Sequence, residues 1–456
     1  MVFMLTLFMK FPRFKIIRVL IAAALLLAAP RLHAAGPALS GAEGPNLILI
    51  GWDTLRADHV GALGYERKTT PNLDGLAARS FLFTRAISPA SWTLPAFMSV
   101  FTGLYPSEHG MTNKYSLPAA GSTKLEPASL STGVATLAQL LKTNGYKTAA
   151  FTGGAGVGGS YGFSRGFDVY VDSPNFTGFG TSFPQALDWL RDNPGSGTFV
   201  FIHGYDTHPF RDLKADGNYS FIPPEEAAKV PELRARHEKM RMELLDGKKL
   251  QYTNDDVKLW TGVYDEKILR ADKLLGKFLT DLSALGKPAG ETIIILLSDH
   301  GEELFDHGGV DHGMTLYDEL LRVPLLIYVP HRPGRTINAQ VRTLDVFPTV
   351  MELLGLRQGE SLRGQLRGTS LVGHMNGAGE PLDAFSETDY LFHFNKKAVR
   401  KSNGQKLISD GLTQGRELYD TSADPAEKTD LFEKDSARAY ILEMALFDWE
   451  ESLKTP

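Results

Sequence analysis

Two uninterrupted apolar runs, each closing on an aspartate, constrain this chain more than any other feature. Asn46-Leu47-Ile48-Leu49-Ile50-Gly51 is followed by Asp53, and the run 292–298 is followed by Asp299-His300-Gly301-Glu302. A run with no polar alternation predicts a strand buried on both faces, the habit of parallel sheets covered by helices. Further strands are predicted at 148–152, 198–203 and 323–329. Between them lie helical patterns. An apolar helix follows Thr93, with Pro95 near its start and Gly103 past its end. Others span 134–144 (stopped by Gly145), 255–285 and 344–354 (closed by Gly355). Strands alternating with helices predict an α/β fold with a mostly parallel sheet. At 456 residues the chain has room for a large core and a smaller lobe.

Three regions break the alternation. The first 35 residues carry Lys10, Arg13, Lys15 and Arg18 before an apolar stretch at 19–29, then Ala34 and Ala35, with Gly36 just after. That order reads as a secretory signal peptide, with an uncleaved membrane anchor as the alternative, and predicts a periplasmic or secreted protein. Residues 211–249 are dense in charge with few apolar side chains and read as a surface insertion, a candidate lid. Beyond residue 373 the pattern turns to short strands. Residues 397–401 and 405–409 flank Ser402-Asn403-Gly404, a hairpin signal, and a helix at 436–453 ends the chain.

Composition removes several functions. No cysteine is present, which excludes disulfides, thiolate metal sites and thiol nucleophiles. A net charge of -5 gives no basis for nucleic-acid binding. No stable protein partner is expected.

Ser91-Trp92-Thr93-Leu94-Pro95-Ala96-Phe97 and the helix ending in Thr102-Gly103-Leu104-Tyr105-Pro106 resemble the nucleophile segment of the sulfatase family, within the alkaline phosphatase superfamily. The resemblance spans about residues 46 to 453. It implies an alkaline-phosphatase-like sandwich, with a catalytic domain at 45–372 and a small C-terminal α+β lobe at 373–456. Sulfatases carry Cys or Ser where Thr93 stands, the precursor of a catalytic aldehyde, and Arg where Phe97 stands. Oxidised threonine would be a ketone, so the usual sulfatase chemistry is lost while its frame is kept. Thr93 is then either a direct nucleophile or a simple helix N-cap.

Polar groups at strand ends are where open α/β sheets place their sites. Asp53, Thr93, Asp299 and His300 would supply two carboxylates, a hydroxyl and an imidazole to one metal. Calcium-type sulfatases pair two Asp at the first strand end and Asp-Asn at the later one. Here Thr54 and His300 replace one carboxylate and the amide, which favours Zn²⁺ or Mn²⁺ over Ca²⁺. His203 and His208, five apart, with His312 twelve after His300, resemble phosphoethanolamine transferases. That likeness implies a second metal, or hydrogen bonds to substrate oxygens and a proton for the leaving group, from His203, His208 and His312. The resemblance implies hydrolysis or transfer of phosphate esters, diesters above monoesters, or of sulfate esters, with a small anionic sugar, lipid or aryl ester as the partner. The alternatives are a sulfatase working without the aldehyde and an inactive sugar- or lipid-binding protein on the same scaffold. Arg56 is left between the anion and Asp58, His307 is placed near the site, and His59 and His109 read as structural.

Overall fold

The computed structural model describes residues 44–116, 125–209, 213, 218–286, 291–356 and 360–454. The signal or anchor segment at 1–35 lies outside the described residues, as does part of the charged insertion. Among the described residues no helix is long and apolar enough to cross a membrane.

The main sheet has eight strands: β1 Asn46–Trp52, β2 Phe81–Ile87, β3 Lys147–Phe151, β4 Val169–Val171, β5 Thr198–Gly204, β6 Thr292–Leu297, β9 Arg322–Tyr328 and β10 Arg335–Arg342. Between β6 and β9 lies a small hairpin, β7 Glu303–Leu304 with β8 Val310–Asp311. The sheet order is β10-β2-β9-β6-β1-β5-β3-β4. β1 is central and pairs in parallel with β5 and β6. Only β9 runs against its neighbours. The alternation on β1 explains its unbroken apolar sequence. Leu47 and Leu49 enter the core on one face, and Ile48, Ile50 and Trp52 enter the core on the other. Both faces are therefore dry, and each such side chain stabilises the fold by about 1.5–3 kcal/mol.

Helices α1 Pro71–Ala77, α4 Phe179–Asp192 and α6 Asn254–Ala284 build one of these cores. Helices α2 Thr93–Thr102, α3 Leu137–Thr143 and α7 Val346–Leu353 build the other. Two boundaries differ from the sequence reading. α3 begins at Leu137 rather than 134, because Thr136 and Gln139 form a capping box across the first turn. The segment 344–354 opens as a 3₁₀ turn at Thr343–Asp345 before the helix proper. Strands β2 and β10 were not legible: Thr84 and Arg85 interrupt the first, and the second is a polar edge strand.

The charged insertion is more than surface. Its helix α5 (Leu233–Leu245) turns Leu233, His237 and Met240 inward at helical spacing, and packs on β8. The C-terminal lobe is an antiparallel sheet of β11 Ala384–Tyr390, β12 Phe394–Arg400, β13 Gln405–Asp410 and β14 Arg416–Asp420, with helix α8 Ser436–Lys454. A buried ion cluster fastens it to the larger part. Lys406, with no exposed surface, reaches Asp318 at 2.9 Å and Glu427 at 2.8 Å, and Arg400 also pairs with Asp318.

Candidate active site

Four connections leave the carboxyl edge of the parallel strands and converge. Asp53 follows β1, Thr93 opens the helix after β2, His203 ends β5, and Asp299 and His300 follow β6. All five side chains are buried. Thr93 is not the N-cap: Trp92 holds that position, with no side-chain cap bond. The Thr93 hydroxyl turns instead to Asp53 Oδ2 at 3.1 Å and His300 Nε2 at 3.3 Å. His300 Nδ1 lies 2.8 Å from the Gly301 carbonyl and donates to it, which leaves Nε2 to face Thr93.

Asp53, His203 and Asp299 each offer one ligand atom, all within 4.8 Å of one another. Asp53 Oδ1, Asp299 Oδ2 and both His203 nitrogens are buried without a hydrogen bond. Burial, and then the charge of Asp299, raises the Asp53 carboxyl well above the usual range. Buried acceptors of like charge aimed at one point are costly unless a cation joins them. Asp53, Asp299 and His203 therefore fit a divalent cation, with His300 and Thr93 beside them. His203 falls in this group, whereas the sequence reading set it with His208 and His312.

Those two histidines meet at the edge of the cluster. The His312 ring lies 5.1 Å from His208 and 4.4 Å from His300. Glu302 and Asp311 each hold His312 Nδ1 at 3.1 Å, and Lys267 donates to the His208 carbonyl. Burial lowers His203 to about 4 and pushes His208, His300 and His312 below the ordinary imidazole range. In the resting site all four are neutral at pH 7, the form that ligates metals and donates one N–H. His312 also walls a cleft of about 580 Å³ between the insertion and the C-terminal lobe.

Several residues escaped the sequence reading. Glu302 stood in view beside Asp299-His300, but its hold on His312 needs the hairpin fold. Tyr264 and Thr207 brace the strand-end turn: Tyr264 donates to the Thr54 carbonyl, and Thr207 to that of Asp53. Thr54 sits at φ 57°, and its hydroxyl goes to Thr207, so it does not stand in for a carboxylate ligand. Arg56 is tied to Asp58 and Asp306 and does not reach the cluster. His307 binds Glu319 and the Glu427 carbonyl, a lobe contact rather than a site contact. His59 pairs with Asp265 and His109 with Ser99, both structural. Phe97 is fully buried, edge-on to His203 with centroids 5.1 Å apart. Gly51 makes room for it: a Cβ there would meet Phe97 Cζ at 2.4 Å.

The glycine-rich loop 151–156 serves as packing. Its N–H groups at Gly154, Ala155 and Gly156 go to Thr152, Asn175 and Tyr205. A Cβ at Gly156 would stand 2.7 Å from Thr93 Cβ. Gly156→Ala should therefore displace the Thr93 hydroxyl and lower kcat about ten- to hundred-fold. The melting temperature should change by only a few degrees. Unchanged kcat in steady-state assays would mean that Thr93 does not need this position.

Residues 45–356 match a family model described as sulfatase, and residues 306–447 one described as N-sulphoglucosamine sulphohydrolase, C-terminal. Among the similar proteins is a Delta 4,5-hexuronate-2-O-sulfatase of Bacteroides thetaiotaomicron, 23% identical over 87% of this chain and 86% of its own. A solved 2-O GAG sulfatase superposes with a TM-score of 0.72 at 21% identity, covering 91% of this chain and 93% of that one. A phosphonate monoester hydrolase of Agrobacterium radiobacter does so with a TM-score of 0.66 at 22% identity, covering 90% and 95%.

Proposed function

The chain belongs to the sulfatase family and is a sulfatase-like ester hydrolase, and from that premise we propose a metal-dependent enzyme whose nucleophile is Thr93 and whose reacting centre is phosphorus. The observation that carries this reading is the Thr93 hydroxyl, directed at Asp53 and His300 rather than capping its helix. Asp53, Asp299, His203 and His300 would hold the metal, with imidazole nitrogens favouring Zn²⁺ or Mn²⁺ over Ca²⁺. When bound, such an ion lowers the pKa of a neighbouring hydroxyl and neutralises developing negative charge.

The chain's own groups then divide the work. Thr93 gives its proton toward Asp53 Oδ2, and its oxygen forms the bond to phosphorus as the bond to the leaving oxygen breaks. That oxygen departs beside His208 and His312, whose N–H groups hydrogen-bond to it, and takes its proton from solvent, while Asp53 keeps the Thr93 proton for the second step. Water, or an acceptor alcohol, next attacks the phosphothreonine at phosphorus and returns the hydroxyl to Thr93. A threonine sulfate has no hydrated aldehyde from which to expel sulfate, which is the chemical reason for preferring phosphorus. The buried Phe97 brings no positive charge from α2, which fits a diester better than a dianionic monoester. The cleft beside His312 is of a size that takes small organic ligands, and the named hexuronate sulfatase relative supports a sugar ester there. The residues at 1–35 support export to the periplasm or beyond.

A second reading stays within the family: direct attack of Thr93 on sulfur. Turnover of bis-p-nitrophenyl phosphate, p-nitrophenyl phosphate and p-nitrophenyl sulfate in the presence of Zn²⁺ or Mn²⁺ separates the two. The diester should lead by at least about ten-fold in kcat/KM, a margin of about 1.4 kcal/mol. Preference for the sulfate overturns the assignment of phosphorus.

A further inference from the structure

Two clefts lie one on each side of the β7–β8 hairpin, and Glu303, Val310 and Asp311 wall both. His312 follows β8 directly, so it stands at the root of this partition. The larger cleft, of about 580 Å³, is the one beside His312. The smaller, of about 480 Å³, lies between the hairpin, α6 and the start of α5. Thr207, Tyr264 and Glu302 also line the smaller cleft, and each is bonded to the site. Thr207 donates to the Asp53 carbonyl, Tyr264 to that of Thr54, and Glu302 Oε2 lies 3.1 Å from His312 Nδ1. At these residues the smaller cleft is one side chain from Asp53 and His312.

The two clefts differ in chemistry. Val230, Leu233, Trp260, Val263 and Leu304 give the smaller one a broad apolar wall. Its exposed charges Arg234 and Glu238 pair with each other at 3.5 Å, and Lys267 donates to the His208 carbonyl. Lys248, Lys249, His393 and Lys396 edge the larger cleft, which suits polar or anionic groups. The partition between them is held in place. Phe305, at the hairpin turn, stacks on Tyr252 of the larger cleft with centroids 4.5 Å apart, and meets Trp260 of the smaller at 5.6 Å. Arg236 lies over the Trp260 ring at 5.0 Å. Arg241 anchors α5 over the hairpin, through Asp311 Oδ2 at 2.7 Å and the Tyr390 hydroxyl at 2.8 Å. A preformed pocket of this size and make-up takes a small organic group with little cost of ordering.

A phosphodiester has two organic arms with phosphorus between them, and this site has a cleft on each side of the partition that His312 roots. We propose that the smaller cleft is the pocket for an apolar arm of the diester, an aryl or alkyl group, while a sugar arm lies across the hairpin in the larger cleft. This rests on the reading of Thr93 as the nucleophile of a phosphodiesterase. The substrate is then an unsymmetrical diester, apolar on one side and polar on the other. Docking of the insertion also acquires a purpose, since it walls both clefts, through Leu233 in the smaller and Leu244 in the larger.

Alkylphosphonic acids carry one arm and no ester bond, so they test this apart from turnover. Methyl-, propyl- and pentylphosphonic acid are titrated calorimetrically into full-length protein loaded with Mn²⁺. Affinity should rise about three-fold for each methylene buried, so the pentyl acid should bind at least about thirty-fold more tightly than the methyl acid. Val263→Trp, at a half-buried position of α6, fills the smaller cleft and should flatten this rise. It should leave the methyl acid within about two-fold of wild type, which also excludes a folding defect. Ala235→Trp fills the same cleft from α5 and should act alike. Lys249→Ala, in the larger cleft, should leave the rise intact. The proposal is overturned if none of the acids binds or if affinity does not rise with chain length. A rise that survives both tryptophan variants, or that Lys249→Ala abolishes, overturns it equally. The parent reading fails separately: turnover that survives Thr93→Val, with the rise intact, would remove the nucleophile and leave the apolar pocket standing.

Discussion

Thr93→Val is expected to abolish ester turnover, lowering kcat by at least about a thousand-fold, while leaving the fold and the metal content in place. Valine keeps the shape and the branching of threonine and removes only the hydroxyl, so the packing of Gly156 against the side chain is preserved. Among the described residues that hydroxyl bonds only to Asp53 and His300, so its loss removes no described structural tie outside the site. Thr93→Ser, which keeps the oxygen but frees its rotamer, should retain activity within about a hundred-fold of wild type. If instead Thr93 were merely a helix-start residue, both variants would turn over normally. Steady-state rates for the diester, with circular dichroism and metal analysis on the same samples, decide between these outcomes.

The second large effect concerns Asp53, and its sign depends on the metal. Without metal, the Asp53 carboxyl is raised by burial and by Asp299. A carboxyl raised on folding contributes stability below its unfolded pKa and loses it as pH rises through the folded value. Metal-free wild type should therefore lose stability from the ordinary aspartate range upward. Asp53→Asn removes that loss, and its metal-free form should melt above metal-free wild type at pH 7. With metal at about a hundred times its Kd, wild type gains about 2.7 kcal/mol. The asparagine variant gains far less, so the order of melting temperatures should invert. Turnover in the variant should fall at least about a hundred-fold. Calorimetric scans of both proteins with chelator and with Mn²⁺ test the inversion. The same order in both conditions would mean that Asp53 is no ligand.

Much of this arrangement was legible in the sequence because the sheet edge is written locally. The β1 and β6 runs end on Asp53 and Asp299, and a strand end fixes the direction in which the next side chain points. His203 and His300 follow from the same rule, whereas Thr93 came from the resemblance of its segment, since the strand before it was not legible. The sequence could not show which histidines share a cluster, since that depends on strand order rather than spacing. His203 joins Asp53 because β5 lies beside β1 in parallel register. The insertion misled because charge dominates its composition, while the three residues that dock it, Leu233, His237 and Met240, are sparse. Arg56 illustrates the opposite error. It follows Asp53 closely, yet Asp306, distant in sequence, takes its guanidinium away from the site. Arg241 had no local signal at all, because Tyr390 in the C-terminal lobe is what holds it.

The central claim is that Thr93 becomes covalently attached to the transferred group. Rapid acid quench of wild type turning over bis-p-nitrophenyl phosphate, followed by digestion and peptide mass spectrometry, tests it most directly. The account predicts a phosphoryl adduct on the Thr93 peptide, absent in Thr93→Val. Turnover by wild type with the adduct on another residue, or undiminished turnover in Thr93→Val, would contradict it.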